Sequence, residues 1–228
     1  MAYSDTAICN LALTRSRVGE IGDINESSAE ASKCRILFPM ARDYVLAKYP
    51  WRFAKRVKAL ALTSTTTPPE WQYEYDYPDE ALRALYVLPA GVGQQLLRNV
   101  GYIEFDTEPY EVYSSDDQQT KVIGANQEEA YLAYIRRITN NALFSDLFVQ
   151  AIAWWLAAEL VLPFGGDSSA DYRKVALNEF KMVMAEAAAA DANQAKKAPR
   201  ALPRNLQAAG SDMRPRHYYY NGQFYRSA

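Results

Sequence analysis

The sequence predicts an α+β fold: a helical bundle domain drawn from both chain ends, an inserted antiparallel β-domain, and an extended C-terminal arm. Three observations carry this. Apolar residues recur at helical spacing between residues 8 and 45 and again between 147 and 187. Between those stretches the period falls to two, most plainly where Trp71, Tyr73, Tyr75 and Tyr77 alternate with Gln72, Glu74 and Asp76. Beyond Asn193 the composition turns to Lys, Arg, Pro and Gly with no period at all. The expected domains are residues 1–50 and 141–190 (helical), 51–140 (β) and 191–228 (arm).

The elements follow in order. Ser4 or Asp5 can cap a first helix carrying Ile8, Cys9, Leu11, Ala12 and Leu13, which should stop near Gly19. Ser27 and Glu30 have capping-box spacing, and a longer helix follows with Ala31, Cys34, Leu37, Phe38, Ala41, Tyr44 and Val45 on one face. Pro50 ends it by pushing Tyr49 out of helical geometry. Strands are expected over 51–62, 71–77, 85–88, 102–106, 111–113, 121–123 and 130–138, separated by Pro, Gly, Asn and Asp. Helix returns at Ser145. Residues 147–162 are apolar all round the axis, with Gln150 and Glu159 on opposite sides, so burial on several faces is expected, part of it by a neighbouring subunit. Interruption by those two polar residues argues for a core helix rather than a membrane span. After Pro163 to Asp167, Ser168 or Ser169 caps a last helix with Tyr172, Ala176, Phe180, Val183 and Ala187 on one face.

Composition narrows the function. The chain has one histidine, His217, and histidine is the commonest general base and metal ligand. Cys9 and Cys34 lie on separate helical faces, with no CxxC and no zinc spacing, and read as buried thiols. Gly91-Val92-Gly93 lacks the lysine and later glycine of a phosphate loop, and no GxSxG or HExxH occurs. Glu128-Glu129 and Asp116-Asp117 sit in turn-like stretches where solvated charge is expected. Of Arg136 and Arg137, one must face inward or toward a partner, because neighbours on a strand point oppositely. No enzymatic activity, metal or cofactor is expected. The start of the chain, Met1-Ala2-Tyr3-Ser4-Asp5, has no basic region followed by an apolar core, so no signal peptide is expected.

Charge is unevenly spread. Residues 191–228 hold seven Lys or Arg against two Asp or Glu, a net +5, whereas residues 1–190 hold 18 against 25, a net −7. The arm ends in an aromatic cluster. Tyr218, Tyr219, Tyr220, Phe224 and Tyr225 are candidate anchors on a protein partner. Arg200, Arg204, Arg214 and Arg216 are candidates for pairing with that partner's carboxylates. The same residues could instead contact phosphates and stack on bases, which makes a nucleic-acid-binding protein the alternative reading.

Three stretches in fixed order resemble the podovirus tail tubular protein A, or head-to-tail adaptor, family. The first is Ile8-Cys9-Asn10-Leu11-Ala12-Leu13 with Val18-Gly19-Glu20-Ile21 and the helix over 31–44. The second is Pro50-Trp51-Arg52-Phe53-Ala54, then Arg56, Leu60-Ala61-Leu62, Trp71-Gln72-Tyr73 and Tyr75-Asp76-Tyr77-Pro78. The third is Tyr134-Ile135, Phe144-Ser145-Asp146-Leu147-Phe148 and Leu156-Ala157-Ala158-Glu159-Leu160. The resemblance spans about residues 1–190; the basic arm lies outside it. Ser16 and Arg17 depart from it, since such proteins carry a leucine-like residue after the position of Arg15.

The resemblance implies a helical domain from both chain ends with a β-domain inserted. It implies a dodecameric ring beneath the portal protein, onto which the tail nozzle protein docks, and a lumen through which double-stranded DNA passes without sequence preference. The expected location is the tail or neck of a virion assembled in the host cytoplasm, with no membrane partner. An acidic body suits a sliding surface, and Asp106, Glu108, Asp116 and Asp117 are candidates to face the channel. The arm is expected to become ordered on a protein partner, the portal for preference.

Overall fold

The structure, a computed structural model, describes residues 3–64, 70–97, 103–104, 107–115, 118–164, 169–194, 217–220 and 223–226; of 64, 95–97, 103–104, 217–220 and 223–226 it describes the backbone. The fold is α+β. Two compact units form, one from residues 1–54 and 137–192, the other from 55–136 and 193–228.

The first unit is helical. Helix α1 (Asp5–Arg15) starts on Ser4, whose side chain accepts from the Ala7 N–H. It ends earlier than Gly19. Arg17 takes the left-handed position at φ 58°, the Arg17 N–H donates to Thr14 O, and Val18 N–H donates to Leu13 O. That is a Schellman stop built on an arginine instead of a glycine. Asn10 then holds the following loop, donating to Ile21 O at 2.8 Å and accepting from Ile21 N–H at 2.9 Å.

Helix α2 (Ala29–Lys48) is capped by Ser28, which accepts from Ala31 N–H. The expected capping box on Ser27 is therefore displaced by one residue, and the carboxylate in the loop is Glu26, which accepts from Gly22 and Asp23 N–H and from the Ser28 hydroxyl. Its end is as expected: Tyr49 is extended, at φ −137° and ψ 148°, ahead of Pro50. Pro39 lies inside α2 at an exposed position. The buried face is Ala31, Cys34, Phe38, Ala41, Val45 and Leu46, whereas Tyr44 is exposed.

A 3₁₀ turn (Asn141–Leu143) leads into α4 (Asp146–Phe164), whose first turn is capped by Ser145. By length and composition α4 passes as a membrane span, contrary to the sequence expectation, with 56% of its most apolar window buried inside the protein. Its buried residues cover most of its circumference, and α1 and α2 pack along it. Leu147, Trp154 and Trp155 stay partly exposed and Leu162 is exposed, so part of the apolar surface of α4 is left uncovered. Helix α5 (Ser169–Asn193) buries Ala176, Phe180, Ala187 and Asp191. It joins the unit through Phe180 beside Tyr44, Arg173 on Glu159 and Asp191 on the Arg52 N–H.

The second unit carries strands β1 (Lys55–Ala59), β2 (Leu62–Ser64), β3 (Tyr73–Asp76), β4 (Ala81–Pro89), β5 (Ile103–Glu104), β6 (Tyr110–Ser114), β7 (Lys121–Ala125), β8 (Ala130–Arg136), β9 (His217–Tyr220) and β10 (Gln223–Arg226). All pairings are antiparallel and form sheets β1-β8-β4, β2-β3-β7-β6 and β10-β9-β5. The stretch 51–62, expected as one strand, is a turn, then β1, then the start of β2 in another sheet. The arm contains a hairpin, β9–β10, with Tyr219 opposite Ile103 and Tyr218 opposite Glu104. Strand β9 thus pairs with β5 of the same chain.

One core, Tyr75, Val87, Ile123, Ala125, Ala130, Leu132 and Tyr134, draws on sheets β1-β8-β4 and β2-β3-β7-β6. The opposite face of β1-β8-β4 carries Tyr86, Leu88 and Ala133, covered in part by Val92 of helix α3 (Ala90–Leu97). Strand β8 is therefore buried on both faces, which explains its nearly unbroken apolar run. The alternation in β3 does not give a polar outer face. Glu74 is buried and accepts from the Tyr113 hydroxyl at 3.0 Å, while Trp71 and Tyr113 crowd over Gly124 opposite it.

Helix α3 was not expected, because Gly91 and Gly93 argue against helix. Gly93 is there for close approach: a Cβ would lie 2.2 Å from Tyr131 Cγ. Gly93→Ala should cost about 1–3 kcal/mol by overpacking. Gly91 has nothing within 4 Å, so Gly91→Ala should add up to about 1 kcal/mol through helix propensity. Urea denaturation of the two variants checks this, and effects of equal sign would refute the packing of α3 on Tyr131.

Candidate interaction surfaces

Trp51, Phe53, Phe144 and Phe148 join the two chain segments of the helical unit. Trp51 is buried and its indole N–H donates to Val45 O at 2.9 Å, closing the end of α2. Its ring meets Phe148 edge-on at 4.9 Å, and Phe53 and Phe144 lie 5.2 and 4.7 Å from the same Phe148 ring. Ser16, the departure from the family pattern, is buried with its hydroxyl near Ala12 O and Ala157 O, so α4 supplies the acceptor that the polar residue needs. Cys9 of α1 and Cys34 of α2 are both buried, and the neighbouring Cys34 thiol, together with burial, pushes the Cys9 thiol up.

Arg15 folds onto α4. Its guanidinium donates to Gln150 O at 3.1 Å and to the Gln150 side chain, and lies 4.2 Å from the centre of the Trp154 ring. Trp155, on the next position, stacks on Tyr44 at 4.9 Å. Glu159 accepts from Arg173 at 3.0 Å. The half-polar residues of α4 are thus each engaged by a neighbouring helix. Asp43 pairs with Arg137 at 2.8 Å and with Arg42 at 2.9 Å, so Arg137 has an ion-pair partner within its own unit.

In the β unit, Glu80 is held below the ordinary glutamate range, first by the Tyr134 hydroxyl at 2.7 Å and then by Lys58 and Arg136. Tyr134 itself is pushed up to about 12, chiefly by burial and then by that carboxylate. Tyr75 is also raised to about 12 by burial, and its hydroxyl binds the carbonyls of Gln127 and Glu128. Asp191 is raised by burial, against the pull of the Arg52 N–H. Both carboxylates, Glu80 and Asp191, have hydrogen-bond partners in the fold. Among the described residues, no group of three or more His, Cys, Asp or Glu is placed to hold a metal ion.

Of the candidate channel residues, Glu108 is described: its N–H donates to Val87 O at 3.1 Å, which places it beside β4. Asp106, Asp116 and Asp117 lie outside the described residues, as do Arg200, Arg204, Arg214 and Arg216. The backbone of Tyr218, Tyr219 and Tyr220 is in β9 and that of Phe224 and Tyr225 in β10, so the five anchor candidates share one hairpin. The helical unit also exposes apolar side chains that the sequence pattern does not single out. Ile36 is 60% exposed and Met40 57%, one turn apart on α2; Val175 is 56% exposed and Met182 66%, two turns apart on α5. Each is an apolar residue set among polar neighbours on the face away from the core, where helical periodicity gives no signal.

The sequence matches no family model and no curated protein.

The Tyr134–Glu80 bond is open to test. Tyr134→Phe should cost about 1 kcal/mol near neutral pH, at the low end for a bond to a charged group because Glu80 is partly exposed. Glu80 is held low in the folded state, so its contribution is full above its unfolded value and lost as pH falls through the folded one. The gap between parent and variant should close in acid. A gap that is constant across pH titration of stability would show that the two groups do not interact.

Proposed function

We propose that this chain is a structural virion protein, the subunit of a head-to-tail adaptor ring that joins the portal to a short phage tail and forms part of the DNA conduit. The observation that supports it most is the discontinuous helical unit interrupted by an antiparallel β unit. That is the architecture which the family resemblance implies, and four of the residues carrying the resemblance, Trp51, Phe53, Phe144 and Phe148, meet where the two helical segments join. The tail nozzle protein would dock on the ring's far side. A net −7 over residues 1–190 fits a conduit wall that lets DNA slide, because acidic groups offer phosphates no counterion-releasing contact.

Electron microscopy of the purified chain mixed with its portal should show rings seated on the portal; a mixture in which neither rings nor portal complexes form would overturn the reading. The basic part of the arm is proposed to reach the portal. A chain with Arg200, Arg204, Arg214 and Arg216 all replaced by Ser keeps the hairpin residues and should lose portal attachment while staying folded. Unchanged attachment would refute that role. Steeply salt-dependent DNA binding lost in the same variant would instead support a nucleic-acid-binding protein.

A further inference from the structure

Helix α5 has two unlike faces. It buries Ala176, Phe180, Ala187 and Asp191. Directly opposite, Val175, Asn178, Met182, Ala185 and Ala189 are all exposed. Their spacing is 3, 4, 3, 4, the alternation of a coiled-coil seam. Two of them are large and apolar, Val175 at 56% and Met182 at 66% exposure, and the alanines let another helix approach closely.

The flanks of this seam carry opposite charge. Lys174 and Lys181 run along one side, seven residues apart, and Glu179 and Glu186 along the other, also seven apart. In a coiled coil these are the positions that face across to the partner helix and set its orientation. Between two copies running parallel, Lys174 would meet Glu179 of the next copy and Lys181 would meet its Glu186. Running antiparallel, lysine flank would meet lysine flank and glutamate would meet glutamate. The contacts these groups make at home do not bar this. Lys174 pairs with Asp171 across a surface where both side chains are more than 70% exposed, an ion pair worth little. Glu179 lies within electrostatic range of Arg15 and keeps its position on the flank.

We propose that this outward seam of α5 is the surface through which neighbouring copies of the chain associate, with their α5 helices parallel. The proposal deepens the ring reading and rests on it for the closed assembly. A cyclic axis makes all copies parallel, and each then offers its lysine flank to one neighbour and its glutamate flank to the other, a heterologous contact that can close into a ring.

The test uses the full-length chain. Lys181 and Glu186 are exposed, so Lys181→Cys and Glu186→Cys should leave the fold in place, with Cys9 and Cys34 buried away from a thiol reagent. With a short bismaleimide, because flanking positions are too far apart for a direct disulfide, a mixture of the two variants at high protein concentration should form the mixed dimer in preference to either homodimer. Preferential Lys181→Cys homodimers would indicate antiparallel pairing and overturn the proposal, as would no cross-link up to the solubility limit. A chain carrying both substitutions separates the two claims. A cross-linked ladder beyond the dimer supports both; a product that stops at the dimer supports this face and refutes the ring. Rings on the portal by microscopy with no 181–186 cross-link would leave the ring standing and refute this face.

Discussion

The helical unit depends on a closure that Phe148 brings about. Inserting the 82 residues from 55 to 136 splits the helical unit into two chain segments, and bringing the ends of such a loop together costs about 4 kcal/mol of chain entropy beyond a constant. Two independent devices offset it. On the helical side, Trp51 and Phe53 from the outgoing segment close on Phe144 and Phe148 from the returning one. Aromatic pairs of this kind contribute about 0.5–1.5 kcal/mol each beyond the area they bury. On the β side, the first strand out and the last strand back are hydrogen-bonded neighbours, Lys55 opposite Ile135 and Ala59 opposite Tyr131. Each unit therefore brings its own two ends together, and neither relies on the other for closure.

That closure draws in the ends of two helices. The Trp51 indole takes the Val45 carbonyl left over at the end of α2, and the following residue's N–H is accepted by Asp191 near the end of α5. Burying Asp191 is costly, which is why its pKa rises, and a carboxylate near a helix C-terminus is the wrong sign for the helix dipole. The compensation is local: without it, a backbone N–H would be buried unpaired in the tight turn after Pro50, at a cost of about 1–3 kcal/mol. Asp191 thus tethers α5 to the crossing, in a helix whose remaining attachments are a few side-chain contacts.

What could be read from the sequence follows how local its causes are. The Ser4 cap and the extended Tyr49 before Pro50 are decided by one or two adjacent residues, and both were legible. So was the α+β order, because hydrophobic period is a local property. The stop of α1 was misplaced because a glycine is the better prior for a left-handed residue, yet Asn10 holding Ile21 in place requires the turn earlier, at Arg17. Ser28 displaced Ser27 because its hydroxyl also serves Glu26, a contact invisible to spacing alone. Helix α3 was missed for a tertiary reason: Gly93 is selected by the Tyr131 ring against it, not by its own segment. Pairing of β9 with β5 joins residues more than a hundred apart, and no local pattern encodes it. The candidate site fared likewise. The anchors could be named as aromatics, but that they share one hairpin depends on strand pairing. The exposed residues of α5 were in plain view and were passed over because the heptad lies on the face opposite the core.

The weakness of the α5 seam is consistent with the assembly proposed. A subunit that must wait as a soluble chain until a template collects it cannot expose a large apolar face, since patches beyond a few hundred Å² invite aggregation. Val175 and Met182 are its only large apolar side chains, spaced by alanines and an asparagine, so one pairwise contact is weak. On a template the balance changes. Copies held side by side meet at an effective concentration far above that in solution, and closing a ring gives every copy two such contacts in place of one. Opposite flank charges then matter more than apolar area, because they reject the antiparallel pairing that free copies could otherwise adopt and that no ring can use. In this arrangement the specificity of assembly comes from four charged residues, and its strength from the number of copies.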